Sequence, residues 1–336
     1  MVLLPPFWRS QMGPTEWVFP DSLACALAEL AKPDTQGVAG GTTVLDLMKL
    51  GHATKARFVD LSRLDLKRIS EAADVTVIGG LASNTDVANA ALIKTRYPVL
   101  SDSILLGASQ QIRNAATVGG NLMQSTRCSY FRAPDWPCNR RAPGSGCAAM
   151  EAASSGHAVL GTSSQCIATH PSDMAVALLA LDATVVCETL AGRHRIPMAQ
   201  FYRQPGQTPS EETRLPAGAL IVAVEVPHDP LFQRSGYLKL RGRASYEFAT
   251  ASVAAAIELE NGVVQRVAIA LGGIATVPWR DTTAEALLLG KTLTDEGIDL
   301  FCDHLLAAAD TRPETRHKVP LVRGAIHHML KRLAEQ

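Results

Sequence analysis

The sequence predicts an α+β protein of two units, with the boundary near residue 229. Three observations carry this expectation. Short strand-like stretches alternate with helical runs as far as Val226. A segment lacking either period, 125–168, interrupts them. Beyond Pro227-His228-Asp229-Pro230, three alternating strands precede three helical runs. A chain of 336 residues has material for two or three packed units rather than one.

In chain order, residues 21–31 space their apolar side chains for one buried helical face, with Asp21 or Ser22 as N-cap. The turn Gly37-Val38-Ala39-Gly40-Gly41-Thr42-Thr43 leads into a second helical run, 44–50. Residues 58–61 and 75–78 read as short strands, and Ser83-Asn84-Thr85-Asp86 caps a helix. Past Pro98, the stretch 97–112 is largely helical and runs into a second glycine turn. Residues 173–181 form a helix; 183–188 and 220–226 are strands, joined through a polar, proline-rich surface loop at 201–217. In the second unit, 237–240, 249–259 and 263–271 alternate as antiparallel strands, and Glu260-Asn261-Gly262 supplies a hairpin turn. Helical runs near Ala284, Leu300 and Leu321 complete an α+β domain at 229–336, after a first domain at 1–228.

Lys plus Arg and Asp plus Glu each number 32, so the formal charge is zero. Such a chain has no electrostatic footprint for nucleic acid or an anionic membrane surface. No stretch approaches the roughly 20 apolar residues that span a bilayer. The N-terminus, with Pro5, Pro6, Pro14, Arg9 and Glu16, lacks the basic start and apolar core of a secretory signal. The expectation is a chain with no export signal of its own, periplasmic only if exported with a signal-bearing partner and otherwise cytoplasmic.

Two glycine-rich turns suit cofactor chemistry. In Ala39-Gly40-Gly41-Thr42-Thr43, missing Cβ atoms let backbone N–H groups approach an anion, threonine hydroxyls add donors, and the helix beginning near Val44 aims its positive end at the loop. Thr117-Val118-Gly119-Gly120-Asn121 repeats the recipe. A tight turn before a helix accounts for either equally well. Neither is a GxGxxG after a strand, and no GxxxxGK[ST] occurs, so neither a Rossmann domain nor a nucleotide triphosphatase is indicated.

Of seven cysteines, Cys25, Cys187 and Cys302 are expected to be buried small hydrophobes. The others, Cys128, Cys138, Cys147 and Cys166, follow C-x9-C-x8-C-x18-C. Four thiolates suit an iron–sulfur cluster or tetrahedral zinc. Zinc sites usually hold a close C-x(2–4)-C pair, which is missing here; incidental cysteines remain a third reading. Arg127, Arg132, Arg140 and Arg141 flank the cysteines and would offset a cluster's negative charge and raise its potential.

Together these motifs resemble the flavin subunits of the xanthine dehydrogenase family. The resemblance rests on Ala39 to Thr43 with Leu45-Asp46-Leu47-Met48, on Arg113-Asn114 through Gly119-Gly120-Asn121-Leu122, and on Arg241-Gly242-Arg243-Ala244-Ser245-Tyr246. Gln124 to Cys128, Pro137-Cys138-Asn139, Gly144 to Cys147 and Cys166 to Met174 resemble the flavin subunit of periplasmic aldehyde oxidoreductases, which carries an additional [4Fe-4S] cluster. The resemblance runs from about residue 15 to the C-terminus; the first twenty residues, with Pro5, Pro6 and Trp8, depart from it.

It implies a two-lobed FAD-binding domain of the CO dehydrogenase flavoprotein and vanillyl-alcohol-oxidase-like type, plus a C-terminal domain of three-stranded antiparallel sheet and helices. It implies partners: a large subunit with the molybdenum cofactor, which oxidises the substrate, and a small subunit with two [2Fe-2S] clusters. This chain would take electrons on FAD and pass them to an external acceptor. Val38 to Thr43 and Thr117 to Asn121 would hold the diphosphate and ribityl portions. Asp173 would accept hydrogen bonds from ribose or ribityl hydroxyls, and Ile221 and Lys239 match positions near the adenine or isoalloxazine. Cys128, Cys138, Cys147 and Cys166 would ligate the cluster.

Plainer roles compete at several positions. Asp173 would serve as a helix cap, Lys239 as a solvated charge, His170 as a structural residue, and Tyr246 and Trp279 as packing. Two rival functions follow. One is the flavin subunit of a 4-hydroxybenzoyl-CoA reductase, which also bears an extra [4Fe-4S] cluster. The other is a zinc-stabilised binding module, which leaves both glycine turns unexplained.

Overall fold

The computed structural model describes residues 15–52 and 55–336, so Pro5, Pro6, Trp8 and Pro14 lie outside the described residues. Three sheets organise the described residues. The first is parallel, with Arg57–Asp60 between Glu16–Val18 and Thr35–Val38. Parallel neighbours need a crossover. The crossover from Thr35–Val38 contains the helix Val44–Lys49, which leaves the turn 39–43 at the carboxyl end of the strand.

The second sheet is antiparallel, in the order Ile69–Glu71, Val75–Gly79, Leu220–Pro227, Thr184–Thr189, Gly192–Pro197. Its last strand, Gly-Arg-His-Arg-Ile-Pro, is mostly exposed. Charge on an edge strand blocks further pairing and also hides the strand from an apolar pattern.

The third sheet has Ala251–Glu260 between Val263–Gly272 and Ser235–Leu240. Asn261 and Gly262 turn the hairpin with φ of 50° and 77°, the left-handed pair that a type I′ turn requires. Strand alternation gives this sheet two different faces. Ala254, Ala256, Ala268 and Ala270 join the core of the first domain, whereas Val253, Ile257, Ile269 and Leu271 pack beneath Phe301, Val322 and Ile326. Those three belong to the helices Asp295–Leu305 and Lys318–Ala334. The alanine face admits the helix Asp173–Ala180, whose residues 174–180 are all buried. A helix apolar on every side belongs inside a core. The two sequence units therefore share apolar packing around this helix.

Between 125 and 168 only the short turns Ser129–Arg132 and Ala148–Met150 are helical, as the lost periodicity predicts. The return arm of this loop is nevertheless anchored. The amides of Val159 and Leu160 donate to the Ile274 carbonyl at 2.8 and 3.1 Å, and both side chains lie in the C-terminal core. The long run 97–112 is in fact two helices, Pro98–Leu105 and Gln110–Ala115, broken at Ala108 with φ of 50°. Cys187 and Cys302 are buried as expected, but Cys25 is exposed. The helix Leu23–Leu30 buries Ala26 and Leu27, and Cys25 falls on its other face.

Candidate cofactor cleft and cysteine pocket

A cleft of about 620 Å3 opens where the parallel sheet, the helices 98–115, the cysteine loop and the C-terminal strands meet. Of the residues singled out in the sequence, Thr42, Thr43, Gly120, Asn121, Asp173 and Lys239 line it. Val38, Ala39, Gly40, Gly41, Thr117, Val118, Gly119 and Ile221 stand behind its wall.

The first glycine turn has unspent donors. Among the described residues, the amides of Gly40, Gly41, Thr42 and Thr43 have no hydrogen-bond acceptor, while the carbonyls of Gly41 and Thr43 already serve the helix that follows. Gly41 holds a φ of 70°. At Gly40 an added Cβ would lie 1.7 Å from the Ala115 carbonyl oxygen, so the turn is pressed against the end of the helix Gln110–Ala115. Val38 is buried at the end of its strand and its carbonyl accepts from Leu61 N–H at 2.9 Å, which fixes the turn from below.

The second turn is built differently. It forms the short helix Val118–Leu122, capped by Thr117, whose hydroxyl accepts from Gly120 N–H at 3.2 Å. The amides of Val118, Gly119 and Asn121 are bonded to Ala82, Gly80 and Thr117 carbonyls. Gly119 lets this helix approach Gly80 and the buried Ile221. What faces the cleft is Gly120 and the Asn121 side chain. The Asn121 oxygen accepts from Ser172 Oγ at 2.6 Å and Gln124 Nε2 at 2.8 Å, which turns its NH2 group outward.

Asp173 does not cap its helix; Ser172 does, accepting from Ala175 N–H at 3.0 Å. The Asp173 carboxylate accepts from Lys239 Nζ and from Tyr237 OH, each at 2.7 Å. Lys239 also donates to the Leu106 carbonyl at 3.2 Å. Its side chain is 1% exposed and that of Asp173 8%, so Lys239 is a buried, paired cation and not a solvated charge. Burial pushes the Tyr237 phenol well above its usual range, keeping it a donor.

Two arginines read with the cysteines face the cleft instead. Arg127 and Arg132 both bond Asp46, and the Arg127 guanidinium lies 5.3 Å from the Phe248 ring centre. Arg141 donates to the carbonyls of Tyr130, Phe131, Ala133, Pro134 and Trp136, so it braces its own loop. Arg140 alone of the four reaches a cysteine, with Nη2 3.9 Å from Cys166 Sγ; its Nη1 pairs with Glu212 at 2.9 Å. Proximity in sequence does not bring Arg127 and Arg132 to the sulfurs, because Asp46 draws both guanidinium groups to itself. Asn84, Gly107 and Arg113 also line the cleft without having been assigned a part, and so does Tyr246, which is 56% exposed and not a packing residue. Trp279 does pack against the C-terminal core.

The four loop cysteines line one small pocket. Cys138 and Cys147 face each other across an isolated antiparallel bridge. Cys138 and Cys166 are buried, and burial pushes the Cys128 thiol up to about 11. The Cys128 Sγ lies 3.2 Å from His157 Nε2. His170 stands aside from this pocket, its ring 4.3 Å from that of Tyr202, with Nδ1 accepting from Ser172 N–H at 3.3 Å. Desolvation, reinforced by Arg140, pulls its pKa down to about 3, so it is a neutral structural residue.

Comparison with known proteins fixes the family. Residues 11–229 match the FAD binding domain in molybdopterin dehydrogenase, and residues 236–335 match the CO dehydrogenase flavoprotein C-terminal domain. The chain therefore belongs to the flavoprotein subunits of the molybdenum hydroxylases, the xanthine dehydrogenase family. It is the FAD-binding medium subunit of an oxidoreductase of that family. It is 46% identical over 308 residues to the aldehyde oxidoreductase FAD-binding subunit PaoB of Escherichia coli K12, covering 91% of this chain and 93% of that one. It is 25% identical to the carbon monoxide dehydrogenase medium chain of Hydrogenophaga pseudoflava over 94% of both. The fold matches a carbon monoxide dehydrogenase structure from that organism with a TM-score of 0.73 and 24% identity, across 95% of this chain and 97% of that one. Quinoline 2-oxidoreductase from Pseudomonas putida 86 also matches in fold, with a TM-score of 0.73 and 20% identity over 96% and 98% of the two chains. No helix among the described residues is long and apolar enough to cross a membrane.

Proposed function

We propose that this chain holds FAD in the cleft and a [4Fe-4S] cluster on Cys128, Cys138, Cys147 and Cys166, as the electron-output subunit of an aldehyde oxidoreductase. The observation that carries the reading is the run of four amides, Gly40 to Thr43, without an acceptor among the described residues, in a turn whose Thr42 and Thr43 line a nucleotide-sized cleft. Such a nest holds a diphosphate without any side-chain cation. Thr42 and Thr43 add hydroxyl donors, and Arg127 and Arg132 supply positive charge across from them. Bound FAD supplies two-electron redox chemistry. Asn121 and Asp173 present a donor and an acceptor to the hydroxyls of the ribityl chain or ribose. Lys239 and Tyr237 take one lone pair from each Asp173 oxygen and leave the others free. Val38, Ala39, Gly40, Gly41, Thr117, Val118, Gly119 and Ile221 set the wall that these groups stand on.

The cysteine pocket suits a cluster better than zinc. A single tetrahedral zinc draws its sulfurs to about 2.3 Å from one point. Among the described residues no three Cys, His, Asp or Glu side chains form a metal site of either kind, so the preference for a cluster rests on the wide spacing of the four cysteines, which lacks a close C-x(2–4)-C pair. A polynuclear cluster takes its thiolates from around a larger body, and burial with N–H donors at sulfur sets its potential. Arg140 is such a donor, to Cys166.

The proposed partners are a large subunit with the molybdenum cofactor and a small subunit with [2Fe-2S] clusters. Electrons arrive from the small subunit and leave to oxygen, a quinone, ferredoxin or another external acceptor. The identity with the Escherichia coli aldehyde oxidoreductase subunit favours aldehyde oxidation; aromatic aldehydes as first candidates, and export to the periplasm with a signal-bearing partner, follow from the motif resemblance alone. Anaerobic mixing of the assembled enzyme with benzaldehyde tests the reading. The visible flavin band should bleach and recover on adding an acceptor; a persistent band in molybdenum-replete enzyme contradicts it.

A further inference from the structure

His157 stands outside the four cysteines and outside the cleft, yet its side chain is buried and its Nε2 lies 3.2 Å from Cys128 Sγ. The second ring nitrogen, Nδ1, is buried with no hydrogen-bond partner among the described residues. A neutral imidazole carries one N–H. When Cys128 is a thiolate it can only accept, so the proton belongs on Nε2 and the ring becomes a donor to sulfur.

The ring and the backbone before it are each held. Tyr130 packs against it with ring centres 6.0 Å apart, and the Tyr130 hydroxyl donates to the Ala153 carbonyl at 2.9 Å. The backbone leading to the ring is gripped by one segment of the C-terminal domain. Arg312 donates to the Met150 carbonyl at 3.2 Å, Glu314 accepts from the Ser154 amide, and Lys318 donates to the Gly156 carbonyl at 3.1 Å. Lys318 is completely buried and also donates to the Gly273 carbonyl at 2.6 Å, with no ion-pair partner among the described residues. An ammonium kept without an anion, at a burial cost that pulls its pKa down to about 8, needs a reason. Joining Gly156 to Gly273 fixes the residue immediately before His157 to the C-terminal sheet.

We infer that His157 is a positioning residue for the cluster proposed above: its Nε2–H donates to Cys128 Sγ and raises the cluster's reduction potential, and Arg312, Glu314 and Lys318 hold it in place. The inference rests on the cluster reading. The physical cause is that an N–H···S bond stabilises the more negative, reduced cluster more than the oxidised one. Its strength is greater in a dry setting.

The test is a potentiometric titration of the assembled enzyme, followed by electron paramagnetic resonance, on wild type, His157→Phe and His157→Gln. Loss of the donor in His157→Phe should shift the [4Fe-4S] midpoint to more negative potential and leave the FAD and [2Fe-2S] midpoints in place. Glutamine, whose amide N–H reaches about as far as Nε2, should recover most of the shift. If phenylalanine prevents cluster loading, His157→Asn, too short to reach sulfur, takes its place and should show the negative shift. An unchanged midpoint in the loaded donor-free variant overturns the inference. Iron and sulfide analysis of the wild-type sample separates the two levels: without four iron beyond the small subunit's content, the cluster reading itself fails.

Discussion

Replacing Lys239 by methionine isolates the buried pair at the base of the cleft. Methionine keeps the length and apolar volume of the stem and removes only the ammonium. Asp173 would then stay 8% exposed, keep the Tyr237 hydroxyl, and lose its 2.7 Å cation. The Leu106 carbonyl would be left with Arg241 at 2.9 Å, so its loss is small. Stranding one charge of a buried pair costs about 3–5 kcal/mol. In a chain of this size that lowers the melting temperature by roughly 4–7 °C. The assay is a circular-dichroism melt of the assembled enzyme, with flavin affinity measured separately by fluorescence quenching. The double variant Asp173→Asn with Lys239→Met removes the stranded charge and should recover at least half of the lost stability. Flavin affinity should not recover with it, because the carboxylate acceptor is gone. A Lys239→Met melt within 2 °C of wild type, or flavin affinity restored in the double variant, would refute the reasoning, since even about 3 kcal/mol would move it further.

Gly40→Ala should weaken flavin binding roughly 5- to 150-fold, the equivalent of about 1–3 kcal/mol of overpacking, because the new methyl meets the Ala115 carbonyl and pushes the turn away from it; unchanged flavin content after dialysis argues against the cradle. The depressed pKa of His170 makes stability depend on pH in one direction. The unfolded chain takes up a proton below about 6.5 that the folded chain refuses until about 3, so stability is lost as pH falls through that window. His170→Gln should flatten this acid limb in an unfolding series, and a limb of unchanged slope would remove His170 as its source. Arg140→Ala removes the Glu212 partner and takes a positive donor from Cys166, so the midpoint of the proposed cluster should move negative while Arg127→Ala, on the cleft side, leaves it unchanged; equal shifts would contradict the different placement of the two arginines.

The C-terminal unit was legible because its strands alternate and Asn261-Gly262 marks the hairpin without ambiguity. The first domain was legible in its helices, whose caps Ser22 and Ser83 lie where polar residues meet apolar periods, although the helix 173–180 is capped by Ser172 and not by Asp173. Its short strands were harder. Thr35–Val38 is only four residues with a glycine inside, and Gly192–Pro197 carries its charges on an exposed edge. Glycine turns identify close approach but not its purpose. The first turn presents amides without an acceptor among the described residues, whereas the second spends its amides on Gly80 and Ala82. Side-chain direction was the least legible feature. Nothing in the spacing of Arg127, Arg132, Arg140 and Arg141 separates the two that clasp Asp46 from the one that reaches Cys166. Nor does local sequence disclose that Lys318, more than 150 positions away, holds the carbonyl next to His157.

The measurement that bears most directly on the central claim is cofactor stoichiometry. The assembled enzyme and a Cys138→Ser form would be analysed for flavin, iron, sulfide and zinc, with an anaerobic visible spectrum of each. The account predicts one FAD per chain, and about four iron and four sulfide beyond the small subunit's content that disappear in the variant while FAD stays. Zinc in place of that iron, or no flavin at all, would contradict it.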